Sequence, residues 1–241
     1  NYHCSYTYTN IIDTLFHMVK SAMIEIYAGN AQPTNFADLH MHTNKSDGRM
    51  EPQKVVDLAV ELGHLTALAI TDHDKLSPSL EAKRYAEMMH YPIEIIPGQE
   101  ITTSTNGHLL GLFVTDEITA GLTPVNTIRE IHRQNGVTIA AHPFFKNLKM
   151  RSIEGTQIEE ILTEETEDGH LDGIEIFNAG LDSIGSSANT KAFRWFTDNA
   201  QNDLAAIGGT DGHFYGVGTG FTGYTGDLRE AIRNKQTSVF K

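Results

Sequence analysis

The chain has 241 residues, 39% of them hydrophobic and 20% charged, and these values are typical of an ordinary globular protein with one large core. Its formal net charge of −13 repels phosphate-rich surfaces, so long nucleic acids and anionic membranes are not expected as partners. The single cysteine, Cys4, excludes an intrachain disulfide and a thiolate zinc cluster.

The first 33 residues differ in pattern from the rest of the chain. Residues 11–27 carry apolar side chains at three- and four-residue spacings, which predicts an amphipathic helix ending at Gly29. We assign 1–33 to an N-terminal helical extension and 34–241 to the main domain. The apolar stripe of the helix packs either on the domain or on a second copy of the chain, which would make a homo-oligomer.

No apolar run reaches membrane-spanning length, and no basic segment precedes a signal-type apolar run. We therefore expect a cytoplasmic protein without membrane contact. The sequence begins at Asn1 rather than methionine, so a removed targeting segment is not excluded.

From residue 34 onward, short β-rich apolar runs alternate with longer segments of helical character. The predicted strands are Phe36–His40, Thr66–Thr71, Ile93–Pro97, His108–Val114, Val137–Ala141, Gly173–Phe177 and Leu204–Gly208. The predicted helices lie near 51–62, 78–90, 124–135, 154–166, 189–202 and 226–235.

This alternation predicts an α/β fold in which parallel strands are joined by right-handed crossovers. Seven such units favour a closed or nearly closed barrel over an open doubly wound sheet, although both have the same local pattern. In either architecture, ligands bind at the carboxyl ends of the strands.

Histidines and carboxylates concentrate at these strand ends. The first strand runs into His40 and His42, whose two-residue spacing places both imidazoles on one side, and Asp47 follows in a Ser-Asp-Gly turn. Later strand ends supply the remaining candidates: His73, Glu100, His108, His142, Asp211 and His213. The sixth strand has only the weaker candidates Glu175 and Asn178.

Six other histidines fall in predicted helices and connections, where a solvated or capping role is expected: His3, His17, His64, His90, His132 and His170. Nine strand-end candidates exceed the ligands of one catalytic ion. Nitrogen and oxygen donors without sulfur suit zinc, manganese or iron, so we expect two or three divalent ions, with Glu100 able to bridge a pair.

In chain order, the residues DLHMHT, SDG, TDHD, PGQEI, HLLG, AHP, EIFNA and GTDGH resemble the PHP family, the polymerase and histidinol phosphatase superfamily of metal-dependent phosphoesterases. The resemblance covers roughly residues 36 to 235. It implies a distorted seven-stranded (β/α)7 TIM-like barrel with a three-metal site at its carboxyl face.

The resemblance also assigns ligands. The first ion would take His40, His42, Glu100 and Asp211; the second would share Glu100 and add His108 and His142; the third would take Asp47, His73 and His213. Some relatives carry histidine where this chain has Asp47, a difference that favours manganese or iron. The implied reaction is attack on phosphorus by a metal-bound hydroxide.

Asp74 and His213 are the candidate catalytic residues, and a metal-bound water is the alternative donor of the leaving-group proton. Asp74 could equally orient His73 or cap a helix. Lys75, Lys146 and Arg151, with Lys149 beside them, are candidate phosphate clamps, although a solvated basic loop explains each equally well. Phe214 and Tyr215 are candidate pocket-lining residues.

The preferred substrate is a small phosphorylated metabolite or nucleotide. Between the fourth and fifth strands, residues 116–136 leave room for only a loop and one helix, whereas nucleotide-acting relatives often carry a large helical insertion there. Exonucleolytic or oligonucleotide cleavage, an inert metal-binding interaction module, and hydrolysis of a non-phosphate substrate are the alternatives.

Overall fold

The computed structural model describes residues 25–27, 29, 32–145, 158, 169–200, 203–214 and 216–241. The strands are β1 Glu25–Tyr27, β2 Asn35–Asp38, β3 Ala67–Ile70, β4 Glu94–Thr102, β5 His108–Leu112, β6 Val137–Ala140, β7 Gly173–Asn178, β8 Ala205–Gly209, β9 Phe221–Tyr224 and β10 Ser238–Phe240. The helices of the described residues are α1 Pro52–Leu62, α2 Ser77–Met88, α3 Pro124–Arg133, α4 Ala179–Ser183, α5 Ala188–Asn199 and α6 Leu228–Arg233.

The strands form one mixed sheet in the order β1-β10-β9-β2-β3-β4-β5-β6-β7-β8. The sheet curls until β8 approaches β9, where Gly208 N donates to Thr222 Oγ1 at 3.0 Å and Thr222 Oγ1 donates to Gly208 O at 2.9 Å. At this contact a Cβ on Gly220 would lie 2.3 Å from Gly209 O, so only glycine permits the approach. The sheet is therefore a nearly closed barrel.

The α/β barrel prediction is confirmed in outline, but the expectation of seven strands is wrong. All seven predicted strands exist, and β1, β9 and β10 add to them. β1 lies inside the segment predicted to be helical, β9 lies in a run rich in glycine and threonine, and β10 has only three residues, so none of them has the apolar pattern of the other strands.

The expectation of parallel pairing is also corrected. Pairs β2–β3, β3–β4, β6–β7 and β7–β8 are parallel, whereas β5 runs antiparallel to both β4 and β6. Only residues 103–107 connect β4 to β5. This hairpin is too short for a crossover, which needs a dozen or more residues, so the chain must reverse.

The N-terminal helix prediction is corrected at its end, because Glu25–Tyr27 form a strand that pairs antiparallel with β10. The rest of that predicted helix, and most of the helix predicted near 154–166, lie outside the described residues. No helix in the described part of the chain combines the length and the apolar character needed to span a bilayer.

Apolar residues fill the barrel and the space outside it. Small or branched side chains, among them Ala37, Ala67, Ile96 and Ile207, belong to the central cluster. Further clusters lie where α1 and α2 pack over β3 and β4, and where α5 packs over β7. This rigid barrel holds the strand ends in fixed positions.

Candidate metal centre

All nine predicted metal ligands lie at one rim of the barrel. His40 and His42 follow β2, His73 follows β3, His142 follows β6, and Asp211 and His213 follow β8. His108 is the first residue of β5, and because β5 is antiparallel its first residue lies at the rim where the parallel strands end. The strand reversal therefore places His108 beside Glu100 of β4.

Glu100 lies at the middle of the centre, with a side chain only 1% exposed. Its Oε1 lies 2.8 Å from both His108 Nδ1 and His142 Nε2. Its Oε2 lies 3.3 Å from His40 Nε2, 3.1 Å from His42 Nε2 and 3.2 Å from His73 Nδ1. One carboxylate thus contacts five imidazoles.

Asp211 and Asp47 extend the centre outward. Asp211 Oδ1 lies 3.2 Å from His42 Nε2 and 3.5 Å from His40 Nε2. Asp47, whose side chain is 53% exposed, lies 3.2 Å from His213 Nε2 through its Oδ2 and 3.5 Å from His42 Nδ1 through its Oδ1. The site therefore runs from a buried floor at Glu100 to an open edge at Asp47.

Ligand-type atoms at this rim fall into four overlapping groups, each within 4.8 Å: His42, Asp47, His73 and His213; His40, His42 and Glu100; His40, His142 and Asp211; and His73, Glu100 and His108. The groups share His40, His42, His73 and Glu100. Such sharing is the arrangement that adjacent, bridged ions require.

The charges of the centre are strongly coupled. Burial by itself lowers the pKa of His42, yet the Asp211 and Glu100 carboxylates raise it to about 10. Burial opposes ionisation of Glu100, but His40, His108 and His73 hold the pKa of its carboxyl well below the usual range. In the absence of an ion, the raised pKa values of His40 and His42 favour protons on these two imidazoles, which offset part of the carboxylate charge.

A metal ion fits this donor set. Several buried ligand atoms have no hydrogen-bond partner in the structure: Glu100 Oε2, Asp211 Oδ1, His42 Nδ1, His108 Nδ1 and His142 Nδ1. His108 Nδ1 lies 2.8 Å from Glu100 Oε1 but is not aligned for a hydrogen bond. Buried ligand-type atoms that are left without hydrogen-bond partners are expected where they share a cation.

A family model described as the PHP domain matches residues 38–217. The chain belongs to the PHP family. The match spans the whole rim just described, from β2 to the loop after β8, and it agrees with the resemblance of the motifs.

Three relatives place this PHP chain among known proteins. An uncharacterised protein of Methanocaldococcus jannaschii is 34% identical over 154 residues, which are 59% of this chain and 81% of that protein. A two-domain Bacteroides vulgatus protein, described as containing a PHP-like metal-dependent phosphoesterase, superposes with a TM-score of 0.61 and 22% identity over 90% of this chain and 67% of its own. The 5'-3' exoribonuclease Rnm of Escherichia coli is 40% identical over 78 residues, which are 31% of this chain and 26% of the nuclease.

Beneath the PHP centre, two residues of β7 hold the candidate ligands in place. They are Glu175 and Asn178, which the sequence marked only as weaker candidates for ligands. Glu175 Oε1 lies 3.0 Å from His40 Nδ1, and its Oε2 accepts from His142 N at 2.7 Å. Asn178 Nδ2 donates to Glu175 Oε2 and to Asp211 Oδ2, both at 3.0 Å. β7, the sixth predicted strand, therefore orients candidate ligands that belong to the other strands. The sequence signal for this role was the presence of Glu175 and Asn178 in a strand that is otherwise apolar.

Asp72 organises the loop that carries Asp47. Its Oδ1 accepts from Thr43 N at 2.9 Å and Ser46 N at 3.1 Å, and its Oδ2 accepts from Thr43 Oγ1 at 2.7 Å. Asp72 is fully buried. Asp72 belongs to the TDHD motif, but local sequence does not reveal this role, because the contacts cross 26 or more residues.

The candidate catalytic and substrate-binding residues have the following surroundings. Both oxygens of Asp74 accept from Thr102, at 2.7 Å from its N and 3.0 Å from its Oγ1. Lys75 Nζ donates to the backbone carbonyl of Lys45 in an exposed position. Lys146, Lys149 and Arg151 lie outside the described residues, so their roles stay predictions.

A cavity of about 410 Å³ opens beside the PHP centre, against Asp211 and His213. Apolar side chains line much of it, among them Phe145, Leu181, Ile184 and Phe214. Arg49, which sequence reasoning did not select, places its guanidinium 4.5 Å from the centre of the Phe214 ring. An apolar wall and a cation thus lie at the mouth of the site. Tyr215, the other predicted lining residue, is outside the described residues.

Proposed function

We propose that this protein is a metal-dependent phosphoesterase that hydrolyses a phosphoester bond of a small phosphorylated metabolite or nucleotide. The observation that carries the proposal is the contact of the buried Glu100 carboxylate with five imidazoles. Membership of the PHP family supports it, as does the description of the Bacteroides vulgatus fold relative.

Two or three zinc, manganese or iron ions would be held by His40, His42, Asp47, His73, Glu100, His108, His142, Asp211 and His213. When bound, such ions supply Lewis acidity toward the phosphoryl oxygens and lower the pKa of water toward neutrality. The four ligand groups at the rim are compatible with this number of ions.

The chain's own residues hold these ligands and face the substrate. Glu175 and Asn178 fix the orientation of His40 and Asp211. Of the two candidate catalytic residues, Asp74 is engaged with Thr102, whereas His213 borders the cavity. His213 would therefore face the substrate as a metal ligand, and Asp74 or a metal-bound water would protonate the leaving group.

The cavity suggests how the rest of the substrate is bound. With the phosphoryl group at the centre, a planar or apolar moiety would lie against Phe214 and Leu181. Arg49, next to Phe214, would attract a second anionic group. A small phosphorylated molecule with an apolar portion matches these features.

Cleavage of oligonucleotides, including exonucleolytic cleavage, is the second candidate. It is favoured by the 40% identity to the exoribonuclease Rnm, over the 78 residues that the two proteins share. The net charge of −13 opposes it, because a long polyanion would be repelled before it reached the ions. A location in the cytoplasm and a homo-oligomer formed through the N-terminal segment remain predictions.

A comparison of p-nitrophenyl phosphate, bis-p-nitrophenyl phosphate and a short single strand, each with manganese, separates these candidates. We expect fastest turnover of a small ester and inhibition by inorganic phosphate. Faster cleavage of the single strand than of either small ester would favour the nuclease alternative. An absence of phosphate inhibition would favour a non-phosphate substrate.

Glu100→Gln tests the centre itself. The amide keeps the side-chain volume but removes the charge that the five imidazoles share, so we expect turnover to fall by about 10³-fold or more, a loss of several kcal/mol of transition-state stabilisation. His40→Ala should have a similar effect. Glu61→Gln, on the exposed face of α1, is the matched control.

Retained turnover in Glu100→Gln, with the melting temperature unchanged, would contradict the proposed centre. Elemental analysis of the wild-type chain tests the inert-module alternative. Fewer than two ions per chain, with no hydrolysis after reconstitution with manganese or zinc, would favour that alternative.

A further inference from the structure

A second cluster of metal-type side chains lies at the opposite end of the barrel. Asp172 directly precedes β7, His132 belongs to the last turn of α3, and His170 lies two residues before Asp172. Asn178, which contacts Asp211 at the candidate metal centre, is six residues after Asp172 along β7. At the rise of an extended strand, the two residues are roughly 20 Å apart. The cluster is therefore separate from the centre around Glu100.

Two imidazoles, those of His132 and His170, converge on the Asp172 carboxylate. His132 Nε2 lies 2.8 Å from Asp172 Oδ2, and His170 Nε2 lies 3.7 Å from Asp172 Oδ1. The two imidazole rings are 4.9 Å apart, and one ligand atom from each residue lies within 4.8 Å of the others. Ligands about 2.0–2.1 Å from a tetrahedral zinc lie about 3.3 Å apart, and the two contacts fall on either side of that value.

Asp172 is held in place by hydrogen bonds that its carboxylate and its backbone make with residues of β6 and β8. Thr138 N, at the start of β6, donates to Asp172 Oδ2 at 2.7 Å. Asp172 N donates to Thr138 O at 3.0 Å, and Ala205 N of β8 donates to Asp172 O at 2.9 Å. A ligating carboxylate with such hydrogen bonds is the usual arrangement in a built metal site.

The three side chains of the cluster become more exposed to solvent from Asp172 to His132 to His170. The side chain of Asp172 is 5% exposed and that of His132 is 10% exposed, whereas His170 is 53% exposed. An ion could therefore reach the buried carboxylate from the solvent side past His170. Water would complete its coordination there.

We propose that His132, His170 and Asp172 bind a divalent transition-metal ion, with zinc preferred, at a second and structural site. Two imidazoles and one carboxylate suit zinc and related ions rather than calcium or magnesium, which select oxygen ligands. The ion would brace the end of α3 against the start of β7. The site takes no part in phosphoester hydrolysis, so it does not depend on the proposed function.

His170→Asn tests the site without disturbing the core, because His170 is the most exposed of the three ligands. The full-length wild-type chain and the variant are equilibrated with zinc alone, desalted and measured for zinc per chain. We expect the variant to hold one zinc fewer, with unchanged turnover of whichever phosphoester the wild type hydrolyses. His90→Asn, at another exposed histidine, is the matched control and should leave the zinc count unchanged.

A second measurement separates a bound ion from a hydrogen-bonded latch. With EDTA, the wild type and His170→Asn should melt at the same temperature, and zinc should raise the melting temperature of the wild type more than that of the variant. Equal zinc content in both proteins would overturn the proposal. An equal response of their melting temperatures to zinc would overturn the bracing role.

Discussion

At the scale of single residues, the centre depends on unusual backbone as well as on ligand chemistry. Asp211 has φ 53° and His142 has φ 28°, left-handed values that non-glycine residues rarely adopt and that cost about 1–3 kcal/mol each. Both are held by neighbours: Asp211 N donates to His40 O at 2.7 Å, and His142 N donates to Glu175 Oε2 at 2.7 Å. Glu175 thus fixes one ligand by its backbone and another by its side chain.

We predict that Glu175→Gln lowers metal affinity or turnover by about 10–100-fold, as is usual for residues that orient a ligand. The glutamine can still accept from His40, but its amide then opposes the N–H of His142, donor against donor. Manganese titration of activity, with kcat at saturating metal, measures the effect. Glu61→Gln again serves as the control. If manganese activates Glu175→Gln at the same concentrations and to the same kcat as the wild type, Glu175 does not orient the ligands.

At the scale of elements, loops and strand ends are positioned by contacts between distant parts of the chain. The β4–β5 hairpin brings His108 to the rim, and Asp72 at the end of β3 holds the loop from Thr43 to Ser46. This loop carries Asp47, the most exposed carboxylate of the centre. The outer part of the centre is therefore built on a loop, and its inner part on strands.

Asp72→Ala should release that loop. We expect a loss of about 1–3 kcal/mol in stability, because the buried amide of Thr43 loses its acceptor and the half-buried amide of Ser46 keeps only Thr43 O, at 3.2 Å. Affinity for the ion near Asp47 should fall more than affinity for the ions near Glu100. Thermal unfolding and metal stoichiometry measure both effects.

Asp72→Asn is the matched control for this prediction. One oxygen remains for the two backbone donors, and the new amide can donate to the Thr43 hydroxyl, so a smaller effect is expected. If both variants keep wild-type stability and metal content, Asp72 does not organise the loop.

At the scale of the whole molecule, the buried charges of the centre link stability, pH and metal. Burial alone would lower the pKa of His40 and His42, but the neighbouring carboxylates raise both above the usual 6.5, that of His42 to about 10. Burial alone would raise the pKa of Glu100 and Asp211, but the imidazoles lower both well below 4.5 and 3.8. Each proton on an imidazole competes with a metal ion for the same nitrogen.

The sign of the pH dependence follows from these shifts. The raised histidine pKa values stabilise the metal-free fold fully below pH 6.5, and this contribution is lost as the pH rises through the folded values toward about 10. The lowered carboxylate values contribute above about pH 4.5 and lose their effect as the pH falls. We predict that the melting temperature in EDTA declines from pH 6.5 to 10.

The stabilisation that metal provides should change with pH in the opposite direction to the melting temperature in EDTA. Since binding displaces protons, the stabilisation by manganese should increase between pH 6 and pH 8, and proton release should be detectable by calorimetry in buffers of different ionisation enthalpy. A melting temperature in EDTA that rises from pH 6.5 to 10 would contradict the proposed coupling between the imidazoles and the carboxylates.

The sequence by itself determined the alternation of strands with helices and the set of rim residues. Both depend on local properties: apolar periodicity defines β2, β3, β6, β7 and β8, and a side chain at a strand end must lie at the barrel rim wherever that strand is placed. Candidate ligands that follow the carboxyl ends of strands could therefore be selected before any contact was known. His108, the first residue of β5, lies at the same rim only because that strand runs antiparallel to its neighbours.

Only the tertiary structure decided which atoms meet. The three short added strands and the support given by Glu175, Asn178 and Asp72 depend on contacts between segments far apart in sequence. The reversal of β5 follows from the extension of β4 to Thr102, which leaves only residues 103–107 as a connection. His132 and His170 were expected to be ordinary solvated side chains, yet they converge on Asp172. Local patterns carry no information about such long-range contacts, because the pairing of strands and the closure of the barrel bring these residues together.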